Sequence, residues 1–313
     1  MDYTTLGRTG LRVSVMGLGG GGHSRLGLAT GGTTEEAERV VREALALGVN
    51  FIDTAESYGT EDVIGRALAG VPRENVVIST KVGVGYEGRR GTGAEFRERV
   101  HACLGRLRTE YVDVLHLHGV SLDEYDYACD ELQPVLRDLQ AEGKVRFLGI
   151  TEVFMRDPGH QMLSRALDDD AWDVVMVGFN LLNQSARERV LARTRQKNIG
   201  TLCMFAVRRA LSRPEALHEV MQGLVADGLV DAEAFDAADP LGFLQSEGGA
   251  ASLPEAAYRF CRWEPGMDVV LSGTGQVAHL RENAASLSAP PLAAPVLERV
   301  TRLFAGVDSV SGN

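Results

Sequence analysis

Residues 76–83 read VVISTKVG, and residues 111–119 read YVDVLHLHG. Each is a short, β-branched, apolar run that closes on a polar residue, Lys81 in the first and His118 in the second. A run that is apolar nearly throughout is a strand buried on both faces, as in a parallel sheet covered by helices. Runs of this type recur at a steady beat on either side. Strands are predicted near Val13–Gly17, Asn50–Asp53, Val76–Lys81, Val112–His118, Val145–Thr151, Asp173–Asn180, Gly200–Phe205 and Asp268–Ser272. Helix-like stretches lie between them. Thr33 and Glu36 form a capping-box pattern before EEAERVVREALALG (35–48), which ends on a C′ glycine, Gly48. FRERVHACLGRLR (96–108), YDYACDELQPVLRDLQAEGK (125–144), RERVLARTRQKNIG (187–200) and SLPEAAYRFCRW (252–263) continue the pattern; Pro134 marks a helix start or a kink. Strand–helix alternation eight times over predicts a (β/α)8 TIM barrel, one domain over residues 1–313. DYTTLGRTGLRVSVMG (2–17) adds an N-terminal β-hairpin capping the barrel bottom.

The 313 residues are 44% hydrophobic and carry a net charge of -11, which supports a sizeable core and argues against nucleic acid or an anionic membrane as partner. Cys103, Cys129, Cys203 and Cys261 are scattered without CxxC spacing, which suits a reducing, cytoplasmic setting. MDYTTLGRTG has no signal pattern, and no apolar run approaches membrane-spanning length. Two stretches are irregular: GLGGGGHSRLGLATGG (17–32), and an acidic insertion over 224–251 after the seventh strand. Both are expected on the active-site face, as long βα loops. The tail GVDSVSGN (306–313) is expected to be mobile.

In a barrel, side chains at the C-terminal strand ends converge on one pocket. NFIDTAESYG (50–59) brings Asp53 and Tyr58 there, beside Lys81 and His118. A free phenol, with a pKa of about 10, is a poor acid near neutrality. A neighbouring ammonium favours the phenolate, a carboxylate fixes that ammonium, and an imidazole steers a carbonyl oxygen towards the phenol. Each residue alone has a structural reading; all four on three consecutive strands do not share one. His116 falls on the same face as His118 but a layer deeper, where a satisfied core histidine is expected. The His116–His118 pair also fits a metal site, but strands five and six end at Thr151 and Asn180, so no metal is expected. Gly17, Gly19 and Gly22 satisfy GxGxxG after a strand, yet HSRLGLATGG opens no helix to face a pyrophosphate, so the match is read as accidental.

The chain resembles the aldo-keto reductase family over nearly its whole length, through GRTGLRVSVMGLG, NFIDTAESYG, STKVG, YVDVLHLH, GKVRFLGIT, FNLLN and GTGQVAHLREN in order. The resemblance implies Tyr58 as proton donor, Lys81 as its partner, Asp53 as the anchor of Lys81, and His118 as the group orienting the carbonyl. It implies hydride transfer between a nicotinamide and an aldehyde, ketone or sugar carbonyl, without metal. The implied cofactor contacts are Gly20 in the loop after strand one, Thr151 and Glu152 in place of a Ser-Asn clasp, Met176 in place of Gln, and Phe179 in place of a stacking Tyr. Phe205, Val207, Arg208 and Arg209 follow strand seven; Gly273, Thr274, His279, Glu282 and Asn283 follow strand eight. The family implies NADP(H). No Lys or Arg stands at residues 273–276, which leaves NAD(H) open, with Arg208, Arg209 or Arg281 available to hold a 2′-phosphate. An NAD-dependent aldose or lactol dehydrogenase and a nucleotide-binding barrel without turnover are the alternatives. Tyr125, Tyr127, Phe235 and Phe243 line a substrate pocket or pack the loops. The small-molecule substrate and the oligomeric state are not legible.

Overall fold

The computed structural model describes all 313 residues. Eight strands close a parallel barrel in chain order: Met16–Gly19, Phe51–Asp53, Val77–Gly83, Val112–Val120, Val145–Glu152, Val174–Gly178, Gly200–Met204 and Val269–Ser272, the eighth pairing with the first. The register sets Asp53 beside Ser79, Lys81 beside His116, and Gly83 beside His118. The predicted first strand divides in two. Arg12–Ser14 pairs antiparallel with Tyr3–Thr5 as the hairpin, and Met16–Gly19 enters the barrel.

Helices cover the outer face. Thr33 and Glu36 form the expected capping box on Thr34–Ala46, and Thr92 with Glu95 repeats it on Gly93–Leu107. Pro134 lies in the first turn of Gln133–Ala141, just after a π-type turn over Ala128–Leu132. One apolar core fills the space between barrel and helices. A smaller one, with Phe51, Val77, Val114, Val174, Leu202 and Val269, fills the barrel itself, and Leu6, Leu11 and Val13 of the hairpin close it from below.

Two expectations about segments, the acidic insertion and the tail, are corrected, and the open reading of the insertion's aromatics is resolved. Residues 224–226 belong to the helix Pro214–Ala226, so the acidic insertion lies between that helix and Leu253–Arg262 and does not reach the cavity described below. Its aromatics pack the shell: Phe243 is buried under the Arg299 guanidinium, and Phe235 rests against the same core. The tail is docked, because the Asn183 and Asn180 side-chain amides donate to the carbonyls of Val310 and Ser311 and the Ala210 N–H donates to Gly312.

Candidate active site

Strand two ends at Asp53 opposite Ser79 of strand three, and Lys81 follows two residues on along the same face. Lys81 Nζ donates to Asp53 Oδ2 at 2.6 Å and to the Thr54 carbonyl at 2.7 Å, and Ser79 Oγ donates to Asp53 Oδ1 at 2.8 Å. Lys81 is wholly buried. Burial works against its ammonium, but Asp53 and then Tyr58 outweigh burial and hold Lys81 above the usual lysine range. Tyr58 ends a 3-10 turn, Glu56–Tyr58, that follows strand two. The Glu56 carboxylate pins this turn by accepting the Gly83 N–H at 2.9 Å and pairing with Arg99. The Tyr58 ring centre then stands 4.9 Å from Lys81 Nζ, and its Oη lies 3.3 Å from His118 Nε2. Burial, and then Lys81, depress the His118 pKa to about 3, so its imidazole is neutral. The four polar residues are therefore brought together. His116 is buried as expected, but not satisfied: neither ring nitrogen has a partner.

A cavity of about 1180 Å³ opens from Asp53, Tyr58 and His118 and runs to Glu36, Gln276 and His279. Thr151, Met176, Phe205, Val207, Arg208, Arg209, Gly273, Thr274 and His279 line it. Gly20 does not; its N–H donates to the Asp53 carbonyl at 2.7 Å behind the wall. Glu282 and Asn283 do not either, Asn283 Nδ2 donating to Ser272 Oγ at 2.9 Å. Phe179 is buried in the outer core, stacked on Phe260 at 5.4 Å. Glu152 touches the cavity, but its carboxylate is withdrawn into the wall, bonded to His160 Nδ1 at 2.9 Å and to the Gly178 N–H at 2.8 Å. Tyr125 and Tyr127 pack the strand-four loop, donating to Asp169 and to the Gly91 carbonyl. The reading from sequence missed Phe154, Met155, Met204, Arg213, Tyr258 and Asn313, all of which line the cavity. Phe154 and Met155 stand two to three positions past Glu152 at a strand end, a signal that was available.

The chemistry of the lining fits a dinucleotide. Arg208 lies 3.9 Å over the Phe205 ring, no carboxylate pairs with it, and burial depresses its pKa. An unpaired guanidinium in a cavity wall is a ready phosphate ligand. Arg213 lines the same wall, whereas Arg209 leans to Glu219 at 3.5 Å. Across the cavity, Gly273–Gly275 leads into the helix Val277–Ser288. A Cβ on Gly275 would come 2.3 Å from Gly27 Cα, so the loop after strand one crosses this turn backbone on backbone. That loop runs through a 3-10 segment, Arg25–Thr30, and opens no α-helix before Thr34, as the reading of GxGxxG required. No group of three or more His, Cys, Asp or Glu side chains gathers at metal-binding distance, so the His116–His118 pair has no third ligand.

Residues 15–304 match the model of the Aldo/keto reductase family. The L-galactose dehydrogenase of Arabidopsis thaliana is 39% identical over 157 residues, 48% of each chain. An NADH-specific methylglyoxal reductase of Escherichia coli is 30% identical over 223 residues, 64% of this chain and 65% of its own. The aligned regions thus span from about half to just under two-thirds of these relatives. The aldo-keto reductase AKR11C1 from Bacillus halodurans, in its holo form, superposes with a TM-score of 0.75 over 99% of this chain and 98% of its own, at 24% identity. That likeness speaks for the fold.

Proposed function

The chain belongs to the aldo/keto reductase family, and from that premise we propose that it is an NAD(P)-dependent oxidoreductase interconverting an aldehyde, ketone or sugar carbonyl with the corresponding alcohol or lactol. The observation that carries this reading is the assembled set of Asp53, Lys81, Tyr58 and His118 at the floor of a cavity large enough for a dinucleotide.

A bound reduced nicotinamide supplies the hydride. The rest is the work of this chain's residues. His118, neutral and in its Nε2–H tautomer, donates to the carbonyl oxygen and sets it beside Tyr58 Oη. Charge gathers on that oxygen as the carbonyl π pair moves onto it, and the Tyr58 proton transfers there to complete the hydroxyl. The phenolate left behind faces the Lys81 ammonium, which Asp53 keeps in place. Oxidation runs the same path in reverse.

Thr151, Met176 and Phe205 would surround the nicotinamide. Thr151 Oγ1 accepts the Gly119 N–H at 2.7 Å, which leaves its own O–H free to donate. Arg208, supported by Val207, Arg209 and Arg213, would hold the pyrophosphate; Gly273, Thr274 and His279 would meet the adenosine. NAD(H) is the cofactor this lining favours. No Lys or Arg occupies 273–276, and Arg281 is paired with Glu43 at 2.7 Å outside the cavity. Glu36 places a carboxylate at the His279 end, where a 2′-phosphate would be repelled. The NADH specificity named for the methylglyoxal reductase supports the same choice, and the similarity to L-galactose dehydrogenase supports the oxidative direction on a sugar C1.

Titration with NADH and NADPH, followed by absorbance at the nicotinamide band over aldehydes, ketones and aldoses, tests the reading. Turnover with NADH, or NAD reduction by an aldose, is expected. Preference for NADPH would overturn the cofactor choice alone, and nucleotide binding without turnover on any member of the panel would make the chain a binding module.

A further inference from the structure

The buried pair Glu152–His160 has no part in the chemistry above, yet it sits directly behind the cavity wall. Both side chains are fully buried. Glu152 Oε1 and Oε2 lie 2.9 Å and 3.0 Å from His160 Nδ1, and Oε1 also accepts the Gly178 N–H. His160 Nε2 has no partner, so Glu152 is the one polar tie that orients the ring. His160 itself is held in the left-handed region, at φ +59. Its ring stacks on Phe154, with centroids 5.3 Å apart and planes 13° apart. Phe154 also occupies the space over Gly178, where an added Cβ would fall 2.1 Å from the ring. Phe154 in turn meets Phe205 edge-on at 5.4 Å. Phe205 lines the cavity with φ at +68, a conformation that a bulky residue adopts only when its surroundings impose it.

We propose that Glu152 and His160 are positioning residues: they lock Phe154 over Gly178, and Phe154 holds strained Phe205 as the wall against which the nicotinamide ring packs. A carboxylate that sequence alone would offer to the carboxamide instead fixes an aromatic column. The proposal rests on the cofactor reading above, and it adds a means of holding the ring end by shape.

The test separates the two ends of the dinucleotide by calorimetric titration with NAD+ and with ADP-ribose, which lacks the nicotinamide. Glu152→Gln and Phe154→Leu are each expected to weaken NAD+ binding by roughly five- to tenfold, the scale of one aromatic contact, while ADP-ribose binding stays unchanged; Phe205→Leu, which also strips Arg208 of the ring beneath it, is expected to weaken both ligands. Phe154→Leu added to Phe205→Leu should weaken NAD+ no further. Thermal melts identify a variant that fails to fold, and Phe205→Leu, at the cavity surface, is the one least exposed to that failure. Equal weakening of NAD+ and ADP-ribose in Glu152→Gln or Phe154→Leu would reduce the pair to a structural role and overturn the proposal, as would unchanged NAD+ affinity in Phe154→Leu. Failure of the unaltered protein to bind either ligand would overturn the cofactor reading, and the proposal with it.

Discussion

Tyr58 and His118 meet at 3.3 Å in surroundings that leave the imidazole neutral, so proton donation falls to the phenol. Tyr58→Phe removes the proton and keeps the ring. It should retain nucleotide binding and lose turnover by about 10²–10⁴, the usual worth of a positioned proton transfer. Near-normal steady-state rates in that variant would sink the assignment. The same burial that keeps His118 neutral makes it a liability in acid. Its folded pKa of about 3 lies below the ordinary 6.5, so between those values the unfolded chain binds the extra proton. Stability conferred by the neutral ring is present above pH 6.5 and is lost as pH falls towards 3, with a slope of up to about 1.4 kcal/mol per pH unit. Asp268, pushed up to about 6 mainly by burial, acts in the opposite sense over part of that range. Urea midpoints for the unaltered protein and for His118→Asn, compared from pH 7 to pH 4, isolate the histidine. The variant should lose less stability on acidification, and parallel curves would refute the assigned burial cost.

At the scale of elements, the two-residue period of a strand decides most of what was legible. Asp53, Lys81 and His118 were placed from strand ends, and the same alternation puts Thr151 and Met176 inward. One residue past Thr151 and three past Met176, it turns Glu152 and Phe179 outward, which is why Glu152 bonds His160 and Phe179 stacks on Phe260. Those two errors carried a residue to its neighbour's face. Phe205 escapes the rule because its backbone leaves the strand in the left-handed region, and Asn313 escapes it because its place depends on contacts with Asn180 and Asn183 about 130 residues away. Glu36 is legible only as a cap. Its carboxylate accepts the Thr33 N–H at 2.8 Å, yet it also lines the cavity. Glu36→Gln keeps the cap geometry, since Gln serves the same motif, and removes the charge. The ratio of NADP+ to NAD+ affinity should therefore rise, by about two- to tenfold for one exposed charge near a phosphate. An unchanged ratio with an intact melt would remove Glu36 from cofactor choice.

At the scale of the whole molecule, chemistry and stability occupy opposite mouths of the barrel. The four polar residues and the crossing loops lie at the C-terminal ends of the strands, and the hairpin closes the other end. Leu6, fully buried, enters the inner core with Phe51, Val77 and Val114. Leu6→Ala would open a cavity at the bottom of the barrel, where the Leu6 side chain packs over Gly200 at the start of strand seven. A loss of about 2–5 kcal/mol is expected from the urea midpoint. Turnover measured well below the melting temperature should stay near that of the unaltered protein, because Lys81 remains tied to Asp53 and Thr54 by bonds the substitution does not touch. If catalysis fell in step with stability, the inner core would be transmitting strain to the Asp53–Lys81 pair, and the two mouths would have to be treated as one coupled unit.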